Sequence, residues 1–101
     1  MELNTAFGLA LKELRHQKGL KQEDFSSVSS RTYLSTLERG MKGATIEKLE
    51  QLASVLDVHP ATLLISAYLT KDCEESYQEL IKRIGAELKA LKKTAPECKA
   101  K

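Results

Sequence analysis

Gln22 to Gly40 reads QEDFSSVSSRTYLSTLERG, and the assignment of its serines decides the fold. Five serines and two threonines stand here with little apolar cover. Leu34 and Leu37, three residues apart, share one side of a helix predicted from Arg31 to about Arg39. Ser29 or Ser30 offers a hydroxyl to N-cap that helix, and Gly40 stops it. Arg31, Thr32, Ser35 and Thr36 are then left on the opposite, polar side. Upstream, Gln22 to Ser26 or Ser27 reads as a short amphipathic helix anchored by Phe25. Its first turn carries Glu23 and Asp24, where the helix dipole favours acids. Val28 remains as an apolar plug in the turn between the two.

Working outward, Phe7, Ala10, Leu11 and Leu14 lie together on one face of a helix predicted over Ala6 to Lys18, which Gly19 closes. On the other side, Thr45 caps a helix over Ile46 to Leu56 whose inward stripe is Leu49, Leu52, Ala53 and Leu56. Val58 plugs the next turn, and Pro60 opens a last helix through Leu63 and Leu64 to about Leu69. Five short helices with short connections describe an all-α domain spanning residues 6–69.

Residues 72–93 differ in character. Tyr77, Ile81, Ile84, Leu88 and Leu91 recur at intervals of four and three, a heptad pattern that marks this C-terminal amphipathic helix as a dimerisation element. Acids lead it and bases trail it, as the macrodipole prefers. Gly85 within it lowers helicity and marks a close approach or a bend. Pairing with a second copy is preferred over packing on the domain, and both parallel and antiparallel arrangements are open. Residues 94–101 read as a flexible tail.

Composition bounds the function. The chain has 101 residues, 42% hydrophobic and 30% charged, which suits one folded domain with an appended element. Only 5% is aromatic and there is no Trp, so an aliphatic core is expected. A formal charge of +2 does not by itself indicate nucleic acid. Its distribution is more telling. From Arg15 to Lys42 there are six Lys or Arg against three acids, a local +3 that leaves the remainder slightly acidic. Cys73 and Cys98 are far apart without a CxxC, and reduced, inert thiols are expected. His16 and His59 have no nucleophile or acid at a recognisable spacing. No phosphate loop, paired-carboxylate site or metal-ligand cluster stands out, so no enzyme, metal or cofactor is expected. No run of apolar residues approaches the ~18 needed to span a membrane, and a cytoplasmic protein is expected.

Three segments in order, LKELRHQKGLKQEDF from Leu11, SRTYLSTLERG from Ser30 and TIEKLEQLASVLDVHPATLL from Thr45, resemble the phage-repressor/Cro-like (XRE) helix-turn-helix domain. In that family the third helix enters the major groove and the second crosses the backbone. The resemblance implies base readers at Arg31, Thr32, Ser35 and Thr36. Arg31 leads them, because a guanidinium can donate two parallel bonds to guanine. Phosphate contacts fall on Gln22, Tyr33, Arg39 and Lys42, and Arg15 and Glu38 match the family's internal ion pair. Two departures stand out: SSVSS is about two residues shorter than the family's turn, and Lys21 replaces its usual Ser or Thr cap. The function implied is a sequence-specific transcriptional regulator, a repressor by default, binding double-stranded DNA as a homodimer on an inverted repeat. The alternative is a protein-interaction module, such as an antitoxin or an antagonist of another regulator, that docks a protein partner through residues 72–93.

Overall fold

The computed structural model describes residues 1–91 of the chain, so the expected tail at 94–101 and Cys98 lie outside the described residues. Five α-helices and one 3-10 turn make up the fold, with no strand among the described residues. They are α1 (Leu3–Gln17), the 3-10 turn (Gln22–Phe25), α2 (Arg31–Glu38), α3 (Ile46–Leu56), α4 (Pro60–Lys71) and α5 (Tyr77–Ala90).

Helix ends follow side-chain chemistry. Ser30, Thr45 and Ser76 each accept a hydrogen bond from the backbone N–H three residues on, at 3.1, 3.0 and 3.2 Å, satisfying a donor that the first helical turn leaves free. His59 caps α4 through Nδ1, which accepts from the Ala61 N–H at 2.9 Å, ahead of Pro60 at the first helical position. Gly19 and Gly40, with φ of +72° and +75°, end α1 and α2 in the left-handed conformation.

Several boundaries differ from the sequence expectation. α1 starts at Leu3 rather than Ala6, because Leu3 stands four residues before Phe7 and prolongs the same apolar row. α4 runs to Lys71 rather than Leu69. The C-terminal helix begins at Tyr77 rather than Asp72, since the Ser76 cap sets its start, and ends at Ala90.

The predicted second helix is only a four-residue 3-10 turn. A 3-10 coil rises about 2.0 Å per residue against about 1.5 Å for an α-helix, so the same residues reach further, which suits a shortened connection. Lys21 has no acceptor with which to cap it. The reverse half of a capping box serves instead, the Lys21 N–H donating to Asp24 Oδ2 at 2.7 Å. So short a turn has no independent stability. Phe25, fully buried beneath it, supplies roughly 1.5–3 kcal/mol of burial.

The core joins Phe7, Ala10, Leu11, Phe25, Leu34, Leu37, Leu52, Leu56, Leu63 and Ala67, with Val28 and Val58 half-buried against it. α1 packs chiefly on α4 and also on α2, and α3 packs on α4, from which it bends by 102°. Gly8 lets α1 and α2 meet closely. A Cβ there would lie on the carbonyl oxygens of Leu37 and Glu38, 2.6 Å from the latter.

α5 stands apart, packing only marginally on the other helices. Its buried residue is Leu80, which is not in the predicted heptad row. Ile84 is half-buried, whereas Tyr77, Ile81, Leu88 and Leu91 are 60, 47, 45 and 65% exposed. Among the described residues no single helix is long and apolar enough to cross a membrane.

Candidate nucleic-acid interface

The 3-10 turn and α2 together form one polar surface. Gln22, Arg31, Thr32, Ser35 and Arg39 line a shared recess. On a helix, residues 31, 35 and 39 fall in one row and residue 32 lies beside it, while Leu34 and Leu37 face the core. Two residues expected to hold phosphate, Gln22 and Arg39, therefore share the recess with three of the four expected to read bases. Thr36 is turned back, its hydroxyl donating to the Thr32 carbonyl at 2.9 Å.

Beneath the recess lies an ion pair. Arg15 Nε and Nη2 donate to Glu38 Oε2 and Oε1 at 2.6 and 3.0 Å, and both side chains are at least nine-tenths buried. Arg15 Nη1 also donates to the Leu20 carbonyl at 3.2 Å. The Glu38 hydrogen bond raises the guanidinium's pKa, outweighing the opposing effect of burial, so Arg15 is a permanent charge. Gln22 joins the pair, its Nε2 donating to Glu38 Oε1 at 3.1 Å. Its amide orientation is thereby set from inside the protein, leaving the carbonyl oxygen and one N–H for the recess.

Two relationships had no sequence signal. Arg31 Nη1 stands 3.6 Å from Glu23 Oε2, with both side chains more than half exposed. Lys48, on α3, donates through Nζ to the Val28 carbonyl in the shortened turn. The Lys48 ammonium also lies 5.6 Å from the centre of the Tyr33 ring, and Lys42 Nζ lies 5.8 Å from it. Tyr33 and Lys42, expected as phosphate contacts, thus sit together on the opposite flank of α2 from the recess. Lys48 adds a third member to that group, and only the folded geometry brings it there. Cys73 is free and exposed, in the segment between α4 and α5.

Comparison with known proteins points the same way. The family HTH_3, described as helix-turn-helix, matches residues 11–63. An uncharacterized HTH-type transcriptional regulator, y4dJ of Sinorhizobium fredii, is 38% identical over 66 residues, covering 63% of this chain and 86% of that protein. The clp gene regulator ClgR of Corynebacterium glutamicum has a similar structure in two crystal structures. One gives a TM-score of 0.68 at 31% identity over 83% of this chain and 90% of that one. The other gives 0.65 at 33% identity over 69% and 92%. The restriction-modification controller protein C.AhdI of Aeromonas hydrophila gives 0.56 at 35% identity over 59% and 94%.

Proposed function

The chain belongs to the XRE-type helix-turn-helix family of DNA-binding transcription regulators, and on that premise we propose that it is a homodimeric repressor of an inverted-repeat operator. α2 lies in the major groove, presenting Arg31, Thr32 and Ser35 to base edges, with Thr36 reading through its methyl group because its hydroxyl is engaged. Gln22 and Arg39 at the rim of the recess, and Tyr33 and Lys42 on the other flank, meet phosphates on either side of the groove. Two such helices, one per protomer, enter successive major grooves about 34–36 Å apart. The exposed row on α5 holds the second copy. Repression follows by occlusion of a promoter, and the DNA it binds sets a cytoplasmic site of action.

The observation that carries this reading is the recess itself. Polar and cationic groups from two elements converge on the exposed face of α2, while the Gln22–Glu38 hydrogen bond ties those two elements together. Selection of bound duplexes from a randomised DNA pool tests it. An enriched inverted repeat with half-sites one helical turn apart is expected. Enrichment of a single unrepeated site would overturn the dimer, and absence of any enrichment would overturn sequence reading.

A further inference from the structure

An acid stands beside the leading base reader. Glu23 in the 3-10 turn lies 3.6 Å from Arg31 at the start of α2, through Oε2 and Nη1. DNA brings a dense row of phosphates to this surface, so a carboxylate here works against binding unless it performs a task. Helix-dipole chemistry gives it little to do, since four residues sum to a small macrodipole and Asp24 already makes the side-chain bond that closes the turn. The backbone at Glu23 is held on both sides, because Gln22 is bonded to Glu38 and Phe25 is fully buried. Its charge is felt at the floor of the recess too, where it adds, after Glu38, to the raised pKa of Arg15.

Arg15 and Arg31 meet their carboxylates differently. Arg15 gives Glu38 its Nε and Nη2, the two parallel donors of a guanidinium. Arg31 meets Glu23 through Nη1, on the other side of the group, so its Nε–Nη2 edge stays available for the O6 and N7 of guanine. We propose that Glu23 is a positioning residue, which holds Arg31 at the recess with its paired donors free and restrains it from swinging to a phosphate. The contact is kept in the complex. A contact that had to break would lower affinity for every duplex and add nothing to selectivity. One that is kept spares the long side chain part of its ordering cost, and does so where a guanine meets it. The assignment rests on α2 reading bases as proposed above, and names a residue that sets its selectivity.

Binding isotherms test this on two duplexes, the one that the wild type enriches from the randomised pool and a scrambled version of equal length. Glu23→Gln removes the charge and keeps the side chain's size. With 60% of the Glu23 side chain exposed, its unfolding midpoint is expected to match the wild type's. It is expected to bind the enriched duplex about fivefold less tightly, and the scrambled one somewhat more tightly because an acid near the phosphates is gone. In an Arg31→Ala background the same substitution is expected to cost the enriched duplex nothing, because Glu23 acts there through Arg31. Equal strengthening of both duplexes by Glu23→Gln overturns positioning and leaves a repulsive charge, and a loss that persists undiminished without Arg31 overturns it as well. A wild type that prefers the enriched duplex, with Glu23→Gln retaining that preference in full, overturns the role of Glu23 alone. A wild type that enriches no duplex overturns base reading and this role together.

Discussion

Arg15 and Glu38 are joined by two parallel hydrogen bonds of 2.6 and 3.0 Å beneath the polar recess, linking α1 to the end of α2. Removing one member of a buried pair leaves the other charge without a partner, so Glu38→Ala is expected to cost about 3–5 kcal/mol. Replacing both, as Arg15→Met with Glu38→Leu, should recover most of that stability. The double variant should nonetheless bind DNA less well than the wild type, because Gln22 loses the carboxylate that orients its amide. Urea denaturation gives the first quantity and titration of an operator duplex the second. If the double variant is no more stable than Glu38→Ala, the pair's role is not the neutralisation of a buried charge.

Gly8→Ala tests how closely α1 lies on α2. The new methyl would meet two backbone carbonyls, which cannot rotate away as a side chain could. Overpacking of this kind typically costs about 1–3 kcal/mol, and the helix-propensity gain of alanine does not offset it. A denaturation midpoint at or above the wild type's would show that the helices separate at little cost.

Much of this was legible in the sequence, for local reasons. The caps at Ser30 and Thr45 and the glycine stops at Gly19 and Gly40 act within a few residues, so spacing along the chain reveals them. The extent of the second helix was not legible, because Phe25 and Asp24 suit one turn of 3-10 as well as α-helix and the length of the following connection decides between them. Lys48 could not be assigned either, since its partners Val28 and Tyr33 are distant in sequence. On α5 the heptad row concealed Leu80. A regular pattern identifies an apolar face, but the direction in which the helix leaves α4 determines which edge of that face meets the domain.

Arg31 and Lys42 separate base reading from phosphate binding. Arg31→Ala is expected to cost about 1–3 kcal/mol on the preferred operator and to relax preference at one base pair in each half-site. Lys42→Ala should weaken every duplex alike and lower the slope of log affinity against log salt by about one for each phosphate no longer neutralised. Binding isotherms on operator and scrambled duplexes at several salt concentrations distinguish the two. An equal loss on both duplexes for Arg31→Ala would move that residue to the backbone.

Lys48 holds the shortened turn. Its ammonium is bonded to the Val28 carbonyl, and methionine in its place would keep the length but leave that carbonyl without its bond, at a cost of about 1–3 kcal/mol if water cannot reach it. Lys48→Arg retains a donor and should recover most of the loss. If the turn sets how α2 is presented, Lys48→Met weakens operator binding more than scrambled-duplex binding, whereas a direct phosphate bond would weaken both equally. The same isotherms decide.

Leu88→Asp asks whether the exposed row on α5 associates independently of the domain fold. Leu88 is 45% exposed and α5 packs only marginally on the other helices, so an aspartate there is solvated in the monomer and costs the domain little. In a paired helix the same carboxylate is placed in an apolar seam without a partner, which strongly disfavours association. The variant is expected to run as a monomer, with an unfolding transition close to that of the wild type below its dimer dissociation constant. Operator affinity should fall steeply, since each half-site must then be held alone, while binding to an isolated half-site is retained. A dimeric Leu88→Asp protein would place the interface elsewhere, and a variant that is monomeric but unfolded would mean that α5 supports the domain more than its marginal packing suggests.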